Sequence, residues 1–165
     1  MNATSVYAGG TAALTSDEEP TTETYPTSRF GPVDVITDSI IEFPDGLIGL
    51  GGRRYALLST DANSPFLWLQ SLDNPGVALP VTNPHRFFED FLVELVDADA
   101  ESLGYDDGEA ADVYVTVTAS AVVTEITVNL KAPILIRDGS GHQVINQRDG
   151  VAIKTPLFPL QSAAA

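Results

Sequence analysis

At 165 residues the chain has the size of one domain, and its 44% hydrophobic content suffices for a core. The 23 acidic against 8 basic residues leave a formal charge of −15, which opposes direct binding to nucleic-acid phosphates. That charge serves either a basic protein partner or plain solubility and salt adaptation, and the absence of cysteine excludes disulfides and thiolate chemistry and fits the cytoplasm.

No apolar run approaches the roughly 18 residues of a membrane span. The amino terminus lacks the basic start and apolar centre of a secretory signal. Residues 1–28 are rich in Ala, Thr, Ser and Gly, and Asp17, Glu18, Glu19 and Glu23 face no Lys or Arg there. This predicts a disordered acidic tail, then a single domain over 29–160 and a short tail over 161–165. Thirteen glycines and eleven prolines predict many turns rather than long helices.

Val33–Ile36 and Ile40–Phe43 read as short strands hinged at Thr37-Asp38-Ser39, a hairpin. The glycines of Leu47-Ile48-Gly49-Leu50-Gly51-Gly52 lack the Lys-Ser/Thr of a phosphate loop, and no helical pattern follows. Their expected role is to let the backbone turn and pack under a barrel rim. Tyr55–Ser59, Phe66–Ser71 and Val77–Val81 are further strands. Phe66, Trp68 and Gln70 fall on one face and Leu67, Leu69 and Ser71 on the other, so this strand is expected to be covered on both sides. Asn83-Pro84 reads as a helix start, with Phe87, Phe88 and Phe91 as its apolar stripe. His85 and Glu89, four apart, read as a surface pair.

Leu92–Val96 reads as a strand. The acidic run that follows mimics a calcium loop from Asp97. However, the sixth position, which needs Gly, is Ser102, and the twelfth, which needs Glu, is Gly108. A helical turn over Ala100–Leu103 is expected instead. From Phe91 to Asp112 there is no Lys or Arg, while Glu94, Asp97, Asp99, Glu101, Asp106, Asp107, Glu109 and Asp112 all fall there. These eight residues are the candidate docking face for a basic protein, against the plainer reading of a solvated acidic loop.

Val113, Val115 and Val117 alternate with Tyr114, Thr116 and Thr118, the period of a strand. Ile126, Val128 and Leu130 alternate similarly before the break at Pro133, and Asp138-Gly139-Ser140-Gly141 is turn chemistry. His142–Asn146 and Val151–Lys154 are the last strand candidates. No G-x-S-x-G or H-E-x-x-H motif is present and only two histidines are available as bases, so nothing points to an enzyme, a cofactor or a metal. The fold class expected is all-β: a bent antiparallel sheet or open barrel of about eight to ten short strands, with one or two short helices at its rim.

Asn129-Leu130-Lys131-Ala132-Pro133-Ile134-Leu135-Ile136, followed by His142-Gln143-Val144-Ile145-Asn146, resembles a signature of the flagellar assembly factor FliW family. Phe43–Leu50, Pro65–Ser71 and Pro84–Phe91 fit the same family in the same order, so the resemblance spans Val33 to Leu157. Arg137 stands where the family usually has Asn, and this chain is longer at its amino end. The resemblance implies a non-enzymatic cytoplasmic regulator with two partners that exclude each other. These are flagellin and the carbon storage regulator, a small basic RNA-binding repressor of flagellin translation. Gln70, Ser71, Asn129 and Pro133 match family motifs and are not assigned as contacts. The competing reading is a small barrel that binds a carbohydrate or other small ligand in its mouth, with Trp68, Tyr55 and Tyr114 supplying stacking.

Overall fold

The computed structural model describes residues 21–103 and 111–158. In chain order these form β1 (Thr22–Tyr25), β2 (Val33–Ile36), β3 (Ile41–Glu42), β4 (Arg54–Leu58), β5 (Phe66–Ser71) and β6 (Ala78–Thr82). Then come α1 (Asp97–Leu103), β7 (Asp112–Thr118), β8 (Thr127–Val128), β9 (Ile134–Arg137), β10 (Ser140–Gln143) and β11 (Thr155–Pro156). Strands β3, β4, β5, β6, β7, β9 and β10 are neighbours in that order, and β10 returns to β3 through the parallel pair Ser140 and Glu42. The expected all-β barrel is therefore present, and it closes rather than staying open. Closure removes the sheet edges that would otherwise template pairing with other chains.

The closing seam explains the break at Pro133. Asp112, Val113 and Tyr114 of β7 pair with Ile136, Leu135 and Ile134 of β9, whereas Val117 and Thr118 pair with β8. The chain must therefore cross from one half of β7 to the other between β8 and β9. Asn129 makes the crossing: its Oδ1 accepts from the Lys131 and Ala132 amides at 3.0 and 3.1 Å. Such a side-chain turn replaces ladder bonds that Pro133 could not donate. The β9–β10 hairpin then closes through Asp138 (φ 52°) and Gly139 (φ 78°), with Arg137 opposite Ser140. Two successive positive φ angles are the type I′ geometry that matches strand twist.

Alternation along β4 and β5 divides their side chains between two cores. Tyr55, Leu57 and Leu69 point into the barrel with Ile41, Phe43, Val81, Ile134 and Ile136. Ala56, Leu58 and Trp68 point out, under the β1–β2 ribbon that supplies Tyr25, Val33 and Val35. β5 is thus covered on both sides, as its doubly apolar sequence predicts. A third cluster, around Phe91, Val115, Val117 and Val128, plugs the end where Phe87 and Phe88 sit. Each fully buried side chain of this size contributes about 1.5–3 kcal/mol.

Several local expectations are corrected. β2 and β3 are not a hairpin: β2 pairs with β1, and β3 with β4 and β10. The 3-10 turn Thr37–Ser39 carries the chain from the outer ribbon into the ring. The ordered fold accordingly begins before Ser28, since Thr22–Tyr25 is a strand and Tyr25 is buried. The rest of the expected tail, residues 1–20, lies outside the described residues, as does 159–165. The Asn83-Pro84 start is real, with Asn83 Oδ1 accepting from the His85 amide at 2.9 Å, but it yields only the 3-10 turn Pro84–Arg86. Leu92–Val96 and Val151–Lys154 are extended or turning segments without a ladder, and pairing to β8 falls to Thr155–Pro156 instead.

Candidate protein-docking surface

Of the eight candidate acids, Glu94, Asp97, Asp99, Glu101 and Asp112 are described, and all five are exposed. Asp106, Asp107 and Glu109 lie outside the described residues. Glu94 belongs to the extended segment 91–96, whose burial alternates: Phe91, Val93 and Leu95 turn inward, while Leu92, Glu94 and Val96 turn outward. The period-two pattern was legible in sequence, but a side chain rather than a strand ladder holds the segment. Asn146, fully buried, accepts from the Glu94 amide at 3.0 Å and donates to the Leu92 carbonyl at 2.9 Å. The Gln147 amide donates to the Glu94 carbonyl at 2.8 Å.

The segment delivers the chain into α1, which holds Asp97 and Asp99 in its first turn, where the positive end of a helix favours anions. α1 starts at Asp97 itself, a residue run that a calcium loop would instead need as an irregular turn. Across a cleft of about 260 Å³, Asp99 and Leu103 face His142, Gln143, Val144, Ile145 and Asp45. Asp45 Oδ2 lies 4.0 Å from His142 Nδ1. The fold thus adds Asp45, from a turn about fifty residues upstream of α1, to the acidic surface. No local pattern in the sequence marks that neighbour. Asp112 opens β7 opposite Ile136, so the β9 strand separates it from β10 and the cleft. Its charge reaches Tyr114, whose phenol is held above its usual range by burial first and by Asp112 second.

The matched motif residues build the scaffold. Gln70 is fully buried and its amide donates to the carbonyls of Ser71, Pro75 and Val77 at 2.8, 3.3 and 3.1 Å. Ser71 Oγ accepts from the Asp73 and Asn74 amides at 3.3 and 3.0 Å. Together they shape the β5–β6 turn, whose Asp73 then caps the Arg53 and Arg54 amides at 2.7 and 3.0 Å. Those two amide bonds hold the Asp73 carboxyl below its usual range. Asn129 and the buried Pro133 shape the crossing between β8 and β9.

A ligand mouth built on Trp68, Tyr55 and Tyr114 does not form. Tyr55 is fully buried inside the barrel, its ring edge-on to Phe43 at 5.2 Å, and its hydroxyl donates to the Gly51 carbonyl at 3.2 Å. Trp68 lies on the opposite side of the sheet, edge-on to Phe30 at 5.7 Å and beneath the Arg29 guanidinium at 4.3 Å. Rings on opposite faces of one sheet cannot clasp a common ligand. His85 does not pair with Glu89: its Nε2 lies 3.0 Å from the Phe91 carbonyl oxygen. Among the described residues no three His, Asp or Glu side chains gather closely enough to hold a metal, and no helix is long and apolar enough to cross a membrane.

Comparison with known proteins agrees with this architecture. A solved structure titled as a crystal structure of the flagellar assembly factor FliW superposes with a TM-score of 0.72 at 28% identity, covering 83% of this chain and 98% of that one. The flagellar assembly factor FliW of Geobacter sulfurreducens is 33% identical over 134 residues, covering 80% of this chain and 84% of the relative. That of Natranaerobius thermophilus is 34% identical over 141 residues, covering 83% and 93%. The family model described as FliW protein matches residues 24–157, so the chain belongs to the FliW family.

Proposed function

We propose that the chain is a cytoplasmic, non-enzymatic regulator of flagellar assembly that binds flagellin and, in alternation, the carbon storage regulator. Secretion of flagellin frees it to capture the basic repressor and relieve repression of flagellin synthesis. The observation that carries the reading, beside family membership, is the run of exposed acids from Glu94 to Glu101 with no cation between Phe91 and Asp112. An acidic protein bound to an RNA-binding repressor places like charge near RNA phosphates, which weakens RNA binding even without overlap of the two sites.

The test is titration against purified flagellin and purified repressor, singly and in competition. Binding to each, with mutual displacement, is expected. A triple charge reversal, Asp106→Lys, Asp107→Lys and Glu109→Lys, is expected to slow association with the repressor and flatten its salt dependence. Wild-type protein that ignores both partners at low ionic strength overturns the function. Unchanged kinetics in the triple variant removes this stretch from the interface.

A further inference from the structure

We infer that the docking face is anchored by an apolar strip of Leu92, Val96 and Ile145, with Ile48 beside it. This strip seats a cationic protein segment that carries apolar side chains between its lysines or arginines. The inference rests on the reading above, that the chain captures a basic protein, and says where and by what chemistry.

The strip is assembled from three distant parts of the sequence. Residues 143–147 alternate as 91–96 do: Val144 and Asn146 are buried while Ile145 and Gln147 face out. The hydrogen bonds of Asn146 and Gln147 to Leu92 and Glu94 lay the two segments side by side, so their outward faces adjoin. Ile48 is tied to the Ile145 side of the strip through Gln143, two residues before Ile145, whose Oε1 accepts from the Ile48 amide at 2.8 Å. Leu92, Val96, Ile145 and Ile48 are 56%, 44%, 42% and 61% exposed. Leu92, Val96 and Ile145 are not needed to fill the interior, because Phe91, Val93, Leu95 and Val144 occupy the inward positions of the same segments, and beside Ile48 it is Leu47 that is buried. Single exposed apolar residues are ordinary, but several on adjoining segments form a patch that water disfavours.

The rim selects the occupant. Asp45, with its side chain 85% exposed, borders the Ile145 end, and Glu94 projects between Leu92 and Val96. Asp97 follows Val96 directly and is also exposed. Two cationic residues join this hydrogen-bond network: Lys131 turns its Nζ to the Asn146 carbonyl at 2.8 Å, and the Arg148 amide donates to Asn146 Oδ1 at 3.1 Å. An apolar centre within an anionic rim matches a partner segment of opposite charge with apolar side chains of its own. The two chemistries then divide the work: the acids accelerate encounter, and desolvation of the strip lengthens the life of the complex.

The experiment measures association and dissociation rates of the full chain with the purified repressor dimer at low and high salt. Leu92→Ser and Ile145→Ser are each expected to raise the dissociation rate about tenfold, with association little changed. Their thermal midpoints should match wild type, because both side chains face solvent. Glu94→Gln with Asp97→Asn should do the reverse, slowing association at low salt while dissociation is retained. Val122→Ser, an exposed apolar residue on a different loop, is expected to change neither rate. If wild type binds the repressor and the two serine variants bind equally well, the strip is overturned while the proposed function stands. If wild type does not bind the repressor, the function itself falls. Self-association of wild type that Ile145→Ser abolishes would assign the strip to a second copy. Loss of flagellin binding alone would assign it to the other partner. Either result overturns the inference.

Discussion

Replacing Gly141 by alanine would place a Cβ 2.5 Å from Phe43 Cζ and 2.9 Å from Cδ2, well inside van der Waals contact. Phe43 is fully buried and packs edge-on against the equally buried Tyr55, so its ring has no free direction in which to retreat. Overpacking of a core costs about 1–3 kcal/mol. Against this stands the smaller entropy of an unfolded chain with alanine in place of glycine, which contributes about 0.4–1 kcal/mol. Gly141 does not have a positive φ, so the backbone itself adds no strain. The clash wins, and Gly141→Ala should lose about 1–2 kcal/mol, a fall in melting temperature of about 2–8 °C for a domain of this size. Thermal or urea unfolding followed by Trp68 fluorescence measures it. Adding Phe43→Leu should return part of the loss, giving a coupling of about 1 kcal/mol in the double-mutant cycle. Gly141→Ala that melts at or above wild type, or strict additivity of the two changes, would refute the packing account of this glycine.

Two further outcomes follow from the same structure. Asn146→Ala leaves the Glu94 and Arg148 amides and the Leu92 carbonyl without the partner they now have. It should cost about 2–3 kcal/mol in urea unfolding, and hydrogen exchange at the Glu94 amide should accelerate more than exchange within β5. Equal acceleration at both positions would show that the side chain does not specifically hold the 91–96 segment. Burial holds the Tyr55 and Tyr114 phenols above their ordinary value of 10.0. Below that value both states keep these protons. Above it the unfolded chain releases them first, so stability falls as pH rises past about 10. Ultraviolet titration should show two phenols ionising late in the native protein, and Tyr114→Phe should flatten the alkaline loss. An alkaline profile unaffected by that substitution would contradict the assignment.

The candidate site was only partly legible. A cation-free run from Phe91 to Asp112 is visible in any reading of the chain, and the described acids within it are exposed. Asp45 and Ile145 could not be found in this way, because nothing near them in sequence marks a surface. They join it only because the closed ring sets the Phe43–Gly46 turn against β10 and because Asn146 reaches the 92–94 backbone. The ligand mouth failed for a related reason. Aromatic residues can be counted in sequence, but whether they share a face across strands depends on how the sheet closes.

What the amino-acid order settled alone is local. Period-two alternation marks strand β7 and the two faces of β5, Asp138-Gly139 imposes the tight hairpin between β9 and β10, and the ordered motifs carry the family. What tertiary structure decided is partnership. Alternation says which side of a strand is apolar but not which strand lies beside it, so β2 could be expected against β3 when it pairs with β1. The ring closes because one half of β7 pairs with β9 while β10 pairs with β3, the other half of β7 being left to β8 outside the ring, and no residue read singly announces that division.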